Sequence, residues 1–463
     1  MHILSSLSFA LYAFSQARSL LKTPSYDFLV EQGQGHTRLR PHVQGYVGVQ
    51  YQEPLNLAAS ITNATTRAEF ALSALQIWYN AGTGLWNTCG WWNSANVLTM
   101  VSNLAKYDSN PQLQDLAKRI FANTITQAPA KNPLPGVETQ TLNQKKVSLA
   151  NTGYDKSMDD EGELITTYPE GWSKIRWDED YKVEDIKLKL QGDPANLAAA
   201  PNPNDWLDGF YDDDLWWALG WIGAYDITKN MQYLQLAEGI FMATTKAWPT
   251  RCGNGGIFWS YKKDYMNAIA NELFLSTAAH LANRAQNKSF YVDWAKRELD
   301  WFQKTGMIND RGTINDGLTE QCKNNNQTTW SYNQGVILGG LVELNKASPD
   351  PSYLTLAAKI AKAAIKELSD SNGVLHDKCG PLCGGDASQF KGIFVRNLQL
   401  LHEAAPDATY IKSIQANANS IWNNNRDEGN MLSINWAGPF IAPANASTHS
   451  SSMDALVAAI TVK

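Results

Sequence analysis

From about residue 65 onward, apolar positions recur at the three- and four-residue spacing of helices and are punctuated by Gly, Pro and Asn/Asp clusters. The pattern predicts twelve helices, near 65–80, 92–106, 111–127, 213–226, 230–247, 265–284, 289–304, 331–346, 352–369, 388–404, 407–424 and 450–461. Taken in order they pair into six hairpins with no exact sequence repeat, at a period of about 50 to 65 residues that suits a helical-hairpin array. The first helix of a pair is amphipathic, as in Leu354 to Leu368 (LTLAAKIAKAAIKEL). The second is apolar nearly all round, as in Leu215 to Tyr225 (LWWALGWIGAY) and Val336 to Leu344 (VILGGLVEL). A helix apolar on every side is enclosed by others. The predicted fold class is therefore all-α, an (α/α)6 barrel with one helix of each pair inside and its mate outside.

If consecutive helices run antiparallel, the N-terminus of every inner helix lies at the same end. The unusual residues of the sequence fall there: Trp91-Trp92-Asn93, Tyr211 to Asp214, Asn267 to Asn271, Tyr332 to Gly335, Lys391 to Arg396, and Ser451 to Asp454. Six polar-aromatic clusters thus converge on one mouth. The rhythm breaks between about 128 and 205, where Pro133, Pro135, Pro194, Pro201 and Pro203 accompany a mixed-charge run (DEDYKVEDIKLK). A structureless loop of that length does not suit a compact domain, so this insertion is expected to carry its own small hairpin or strands beside the mouth.

Upstream of the helical domain (61–463), residues 18–60 form a polar, Gly- and Gln-rich N-terminal extension. Residues 1–17 (MHILSSLSFALYAFSQA) read as a secretion signal, an apolar stretch followed by small residues. The absence of Lys and Arg before the apolar stretch leaves a buried N-terminal helix as the alternative. No later stretch approaches the ~20 apolar residues that span a bilayer, and the C-terminal ALVAAITVK is short and ends in a charge, unlike a GPI signal. The expected product is secreted, without a membrane anchor, and monomeric. Sequons at Asn63, Asn287, Asn326 and Asn445 fit a secreted glycoprotein.

Composition narrows the chemistry. At 44% hydrophobic and 18% charged, the 463-residue chain can bury a sizeable core. Lys and Arg number 39 against 45 Asp and Glu, a net charge of −6, which leaves no basic surplus for phosphates and argues against a nucleic-acid partner. The 17 Trp offer flat faces with a polar handle, suited either to sugar rings or to a Trp-rich core. The 5 Cys allow at most two bridges. Cys379 and Cys383 are close enough to pair, Cys252 with Cys322 is the second pairing considered, and Cys89 is left free. No Cys/His cluster has zinc-ligand spacing, so neither metal nor cofactor is expected.

The strongest local signal is Phe210-Tyr211-Asp212-Asp213-Asp214-Leu215-Trp216-Trp217. A helix start accounts for one acid, because Asp is favoured at the N-cap and first turn. It does not account for three. Aromatic neighbours make a crowded, dry setting in which like charges shift each other's pKa. Neighbouring Cα atoms lie about 3.8 Å apart, so adjacent Asp side chains suit the ~5 to 5.5 Å carboxyl separation of a retaining glycosidase better than the wider inverting gap.

The run YDDDLWWALGWIGAYDIT, followed by CGNGGIFWS, NAIANELFLSTAAHLA, WSYNQGVILGGLVEL and FKGIFVRNLQLL, resembles glycoside hydrolase family 76, the α-1,6-mannanases of bacteria and fungi. The resemblance covers about 65 to 463. It implies an (α/α)6 barrel, a retaining mechanism and endo cleavage of α-1,6-linked mannan. The family's acid pair follows an aromatic and precedes two variable positions and a Trp. That maps onto Asp212 as nucleophile, Asp213 as general acid/base and Trp216. Asp213 and Asp214 against Trp217 also satisfy the spacing. The insertion at 128–205 is longer than the family usually has.

Around the pair, Asn93, Asn267, Asn271, Tyr332, Asn333 and Gln334 are candidates to hydrogen-bond mannose hydroxyls, and Trp91, Trp92 and Trp259 to stack on rings, each against a structural role in capping or packing. Lys391 and Arg396 read better as partners of acids than as an anion site. Ser451 and Ser452 near Asp454 do not form a G-x-S-x-G elbow. Three rivals remain: a mannan transglycosidase of fungal wall assembly, a catalytically silent mannan-binding protein, and another α/α-barrel enzyme such as an epimerase. The last lacks the His residues its chemistry needs at the inner helix ends.

Overall fold

The computed structural model describes residues 61–135, 155–158, 164–167 and 200–462. The expected signal at 1–17, the extension at 18–60 and most of the insertion lie outside the described residues. Twelve α-helices are described: α1 (Ala64–Leu75), α2 (Trp91–Tyr107), α3 (Pro111–Gln127), α4 (Tyr211–Thr228), α5 (Met231–Thr244), α6 (Ala268–Ala282), α7 (Lys288–Lys304), α8 (Ser331–Ala347), α9 (Pro351–Leu368), α10 (Phe390–Ala404), α11 (Ala408–Asn424) and α12 (Ala446–Thr461).

Asn or Asp caps eight of these helices, its side-chain oxygen accepting from a first-turn amide: Asn63, Asn110, Asn230, Asn267, Asn287, Asp350, Asp407 and Asn445. Two boundaries differ from the sequence reading by more than three residues. α1 stops at Leu75, where the chain turns into a short hairpin of β1 (Tyr79–Asn80) and β2 (Leu85–Trp86). α12 starts at Ala446, four residues early, because Asn445 and Thr448 cap it reciprocally and burial overrides the weak helix propensity of Ser447 to Ser452. Asn445 is itself buried in that cap, so its amide is not presented as a glycan acceptor, whereas Asn63, Asn287 and Asn326 are exposed.

The nearly all-apolar helices form a closed ring in the order α2, α4, α6, α8, α10, α12 and back to α2. Small residues set how closely they approach. A Cβ on Gly335 would stand 2.6 Å from the Cα of Phe394, and one on Gly392 would stand 2.5 Å from the carbonyl oxygen of Ser451. Outside this ring α5 packs on α4, α7 on α6, α9 on α8, and α1 on α12. Turns of two to five residues join each inner helix to the outer helix that follows, at 108–110, 229–230, 283–287, 348–350 and 405–407. Such short links force antiparallel neighbours. The tight hairpins are therefore inner-to-outer, one step out of phase with the outer-first pairs expected from the sequence, and α1 completes the set against α12.

All the long connections, 76–90, 128–210, 245–267, 305–330, 369–389 and 425–445, consequently fall at the end where the inner helices begin. The insertion does carry a hairpin, β3 (Asp155–Met158) antiparallel to β4 (Leu164–Thr167). β4 packs against the 3-10 turn Gly385–Gln389, within the connection that leads into α10. Both expected disulfides form, Cys252–Cys322 and Cys379–Cys383. Cys89 is free and buried, its thiol pushed up to about 12 by that burial, which makes it unreactive. Among the described residues no helix is long and apolar enough to cross a membrane.

Candidate active site

The first turns of the inner helices carry the site, and the fourth residue of each does a common job. Ser94 of α2 hydrogen-bonds Cys89, Asp214 of α4 accepts from the Asp208 amide, and Asn271 of α6 brackets Ile257 by accepting from its N–H and donating to its C=O. Gln334 of α8 brackets Ile314 in the same way, and His449 of α12 accepts from the Leu432 amide. In five of six inner helices this position therefore ties down the connection that has just entered the ring. Only α10, with Ile393 there, departs from the rule.

That rule separates the three acids of α4. Asp214, fully buried, is the clasp of its helix, and the Tyr261 hydroxyl also donates to it at 2.9 Å. On the helix surface it lies above Trp217 and Trp221, which pack outward with Trp91, Trp206 and Tyr233. Asp212 instead lies above Trp216, Leu219 and Gly223, residues that line a cavity of about 350 Å³ further down the ring. Asp213 is its neighbour towards α2. Asp212 thus begins the inward face of α4, and Asp214 begins the outward one.

Several groups meet Asp212 at the mouth. Asp316, from the connection before α8, is fully buried, and burial lifts its carboxyl to about 6 against the pull of the Tyr265 hydroxyl that donates to it, with the charge of Asp212 raising it further. The Tyr332 ring stacks on Phe390 at 3.8 Å between centroids. Its hydroxyl is pushed well up by burial and then by the charges of Asp316, Asp212 and Glu272. Trp92 stacks on Trp216 at 5.8 Å, and its indole N–H donates to Asp386. Trp259 stands edge-on to Phe210 at 5.5 Å, and its backbone carbonyl accepts from the Tyr211 amide at the start of α4.

Of the residues singled out by sequence, Asp212, Trp92, Trp259 and Tyr332 come together here, and Asp213 is buried next to Asp212 in the same turn. Five others do structural work. Trp91 is fully buried against Trp217 and Trp206, at 4.8 and 5.7 Å. Asn93 accepts from the Gly90 amide and donates to Gln389, Asn267 caps α6, and Asn271 and Gln334 are the clips already described. Asn333 is fully buried, and its side-chain amide has no hydrogen-bond partner among the described residues. Lys391 donates to the Ile434 carbonyl beside Asp377, and burial lowers its ammonium to about 8. Arg396 pairs with Asp454 at 3.2 Å over the Trp216 ring. Both basic residues are structural, as their sequence context favoured. Asp316, Glu272 and Asp386 escaped the sequence reading because none stands in an acid run.

Burial gives the fold a signed pH dependence. Asp214, Glu272, Glu298, Asp316, Asp377 and Asp454 are all raised by desolvation, Asp316 and Asp454 to about 6. These acids hold protons that the unfolded chain releases above about pH 4, so they cost stability progressively as pH rises through that window. His280 and His449 are lowered by burial, His449 to about 4, and act in the opposite sense. Six carboxyls against two imidazoles predict a higher Tm near pH 5 than near pH 7 in a thermal scan. A Tm that rises from pH 5 to pH 7 would contradict the assignment.

A closed double ring of helices, with carboxylates and aromatic rings gathered where the inner helices begin, defines the class: an (α/α)6 barrel. The model of glycosyl hydrolase family 76 matches residues 160–462, and the chain belongs to that family. It is 30% identical over 217 residues to mannan endo-1,6-alpha-mannosidase DCW1 of Candida albicans, covering 42% of this chain and 47% of that one. To the DCW1 protein of Saccharomyces cerevisiae it is 26% identical over 215 residues, again 42% and 47%. The chain thus spans about half the length of the curated relatives it matches. Among solved structures, the α-1,6-mannanase GH76A of Salegentibacter sp. HEL1_6 superposes with a TM-score of 0.63 at 18% identity, over 87% of this chain and 100% of that one. Dfg5 of Chaetomium thermophilum in complex with glucosamine gives 0.62 at 16%, over 86% and 90%. At these identities the structures speak for the fold.

Proposed function

We propose that this protein is a secreted, monomeric glycoside hydrolase that cuts α-1,6-linked mannan internally, with retention of configuration. The observation that supports the reading is the division of labour in the first turn of α4: Asp214 is occupied in holding the connection, whereas Asp212 begins the helix stripe that lines the axial cavity, with Asp213 buried beside it. Names borne by relatives support the substrate. The Salegentibacter enzyme was captured with α-1,6-mannotriose as an inactive variant in which two neighbouring aspartates are asparagine. The two disulfides and the exposed sequons Asn63, Asn287 and Asn326 fit an oxidising, extracellular setting.

In the first step a carboxylate oxygen of Asp212 bonds to the anomeric carbon while the glycosidic C–O bond breaks and Asp213 gives its proton to the departing oxygen. The amides that open α4 favour negative charge on Asp212. Water then attacks the same carbon, Asp213 takes its proton, and the bond to Asp212 breaks. Tyr332, Trp92 and Trp259 wall the sugar that reacts. Incubation with linear α-1,6-mannan, with and without an added acceptor oligosaccharide, tests the reading by product size. Short mannose oligomers that are indifferent to acceptor are expected. Dominant elongation of the acceptor would assign the site to a transglycosidase, and binding without turnover to a lectin-like protein.

A further inference from the structure

Glu272 lies within the NAIANELFL segment and has had no role so far. It is the fifth residue of α6 and is fully buried, and neither carboxyl oxygen has a hydrogen-bond partner among the described residues. An acid left in this condition is costly for a fold. Its direction is fixed by its helix. Ser276 and His280, four and eight residues on, line the axial cavity of about 350 Å³, so Glu272 faces the same axis one turn nearer the mouth. Helical side chains lean towards the N-terminus of their helix, which here is the mouth. The electrostatics agree, because the charge of Asp316 acts on Glu272, and Glu272, Asp316 and Asp212 all act on the Tyr332 hydroxyl.

We propose that Glu272 is a substrate-binding residue whose side chain hydrogen-bonds a hydroxyl of the mannose held at Asp212 and Asp213. This rests on the reading of that pair as the reacting centre. Asp213 is as deeply buried as Glu272, so burial at this depth does not separate a side chain from the reacting sugar. Burial and then the charge of Asp316 hold the carboxyl well above its ordinary range, which favours the protonated form that can donate. An ionised acid here could only accept, and it would add a further negative charge beside Asp316 and Asp212. In the first turn of α8, Asn333 is likewise fully buried with its amide unpartnered. The two offer a polar floor to a sugar edge.

The test compares Glu272→Gln, which keeps size and an N–H donor, with Glu272→Met, which keeps size alone. Three readouts are taken: Tm, kcat/KM on linear α-1,6-mannan, and calorimetric binding of α-1,6-mannotriose in the Asp212→Asn background. Both variants are expected to melt at or above the wild-type temperature, since each removes a buried acid. Glu272→Gln should stay within about threefold of wild type in kcat/KM, whereas Glu272→Met should lose roughly ten- to a hundredfold there and a similar factor in mannotriose binding. Wild-type kcat/KM and binding in Glu272→Met would overturn the proposal, as would equal losses in the two variants. Failure of the catalytic pair itself would appear separately, as cleavage by Asp212→Asn with Glu272 intact.

Discussion

Asp212→Asn is expected to lower mannan cleavage by a factor on the order of 10⁴ or more, because without the carboxylate there is no covalent intermediate to divide the reaction. Asp213→Asn removes the proton that the departing oxygen needs and should cost roughly 10² to 10⁴. Neither substitution should unfold the protein, since Asn keeps the shape and the ring is held by apolar packing. The informative control is Asp214→Asn. All three acids stand in one turn, and composition alone does not rank them. Only Asp214 sits at the position that holds the connection in the neighbouring inner helices, bonded to the Asp208 amide and the Tyr261 hydroxyl. Its replacement should keep cleavage within about tenfold of wild type while altering Tm, because its bonds are the ordinary kind worth about 1 kcal/mol each. Initial rates on linear mannan and thermal scans of the three variants decide the matter. Full activity in Asp212→Asn with loss in both Asp213→Asn and Asp214→Asn would move the pair by one residue, and full activity in Asp213→Asn would rule out either pair.

The second large effect concerns the Cys252–Cys322 disulfide. It joins residues 70 apart and links the connection before α6 to the connection before α8. Between these connections Asn267 bridges Gly317, the Leu318 amide donates to the Met266 carbonyl, and the Asp316 carbonyl accepts the Ala268 amide. The bridge therefore fastens the segment that delivers Asp316 to the mouth. Closing a loop of this length is worth about 4 kcal/mol in chain entropy, a large share of the roughly 5 to 15 kcal/mol that a domain holds in total. Cys252→Ala with Cys322→Ala should therefore lower Tm markedly and weaken mannan binding as Asp316 loosens. Cys379–Cys383, separated by four residues, closes a far smaller loop, and its removal should cost much less. Thermal scans of the two double variants check the order. Equal losses would count against the loop-length argument.

The helices were legible because each is long, and because an inner helix such as Leu215 to Tyr225 differs so plainly from an outer one such as Leu354 to Leu368. The ring and its mouth followed from that difference. Which helices form the tight hairpins depends instead on connection length, and the three-residue link between α2 and α3 identifies the antiparallel partner better than apolar spacing does. At the mouth, the acid run stood out as a local anomaly. The amides around it misled, since Asn271 and Gln334 have the composition of sugar ligands and do the work of loop clips. Their shared place, fourth in the helix, was present in the sequence as a recurring register, but it is recognisable only once the helix starts are known to the residue. Trp91 and Trp92 are adjacent and chemically identical, yet one packs outward on Trp217 and the other inward on Trp216. A one-residue step along a helix turns the side chain by about 100°, so without the exact helix start both read as candidates to stack on a sugar. Glu272 and Asp316 were illegible for a different reason. Each is a single acid in an unremarkable context, and only burial and the charges around it single it out.

The central claim is double displacement at Asp212 with Asp213 as acid and base, and the stereochemistry of the first product tests it most directly. Linear α-1,6-mannan is mixed with the enzyme, and the newly formed reducing ends are followed by proton NMR before they mutarotate. Initial appearance of the α-anomer, drifting later towards equilibrium, is the predicted result. Initial appearance of the β-anomer would show a single displacement by water and contradict the account.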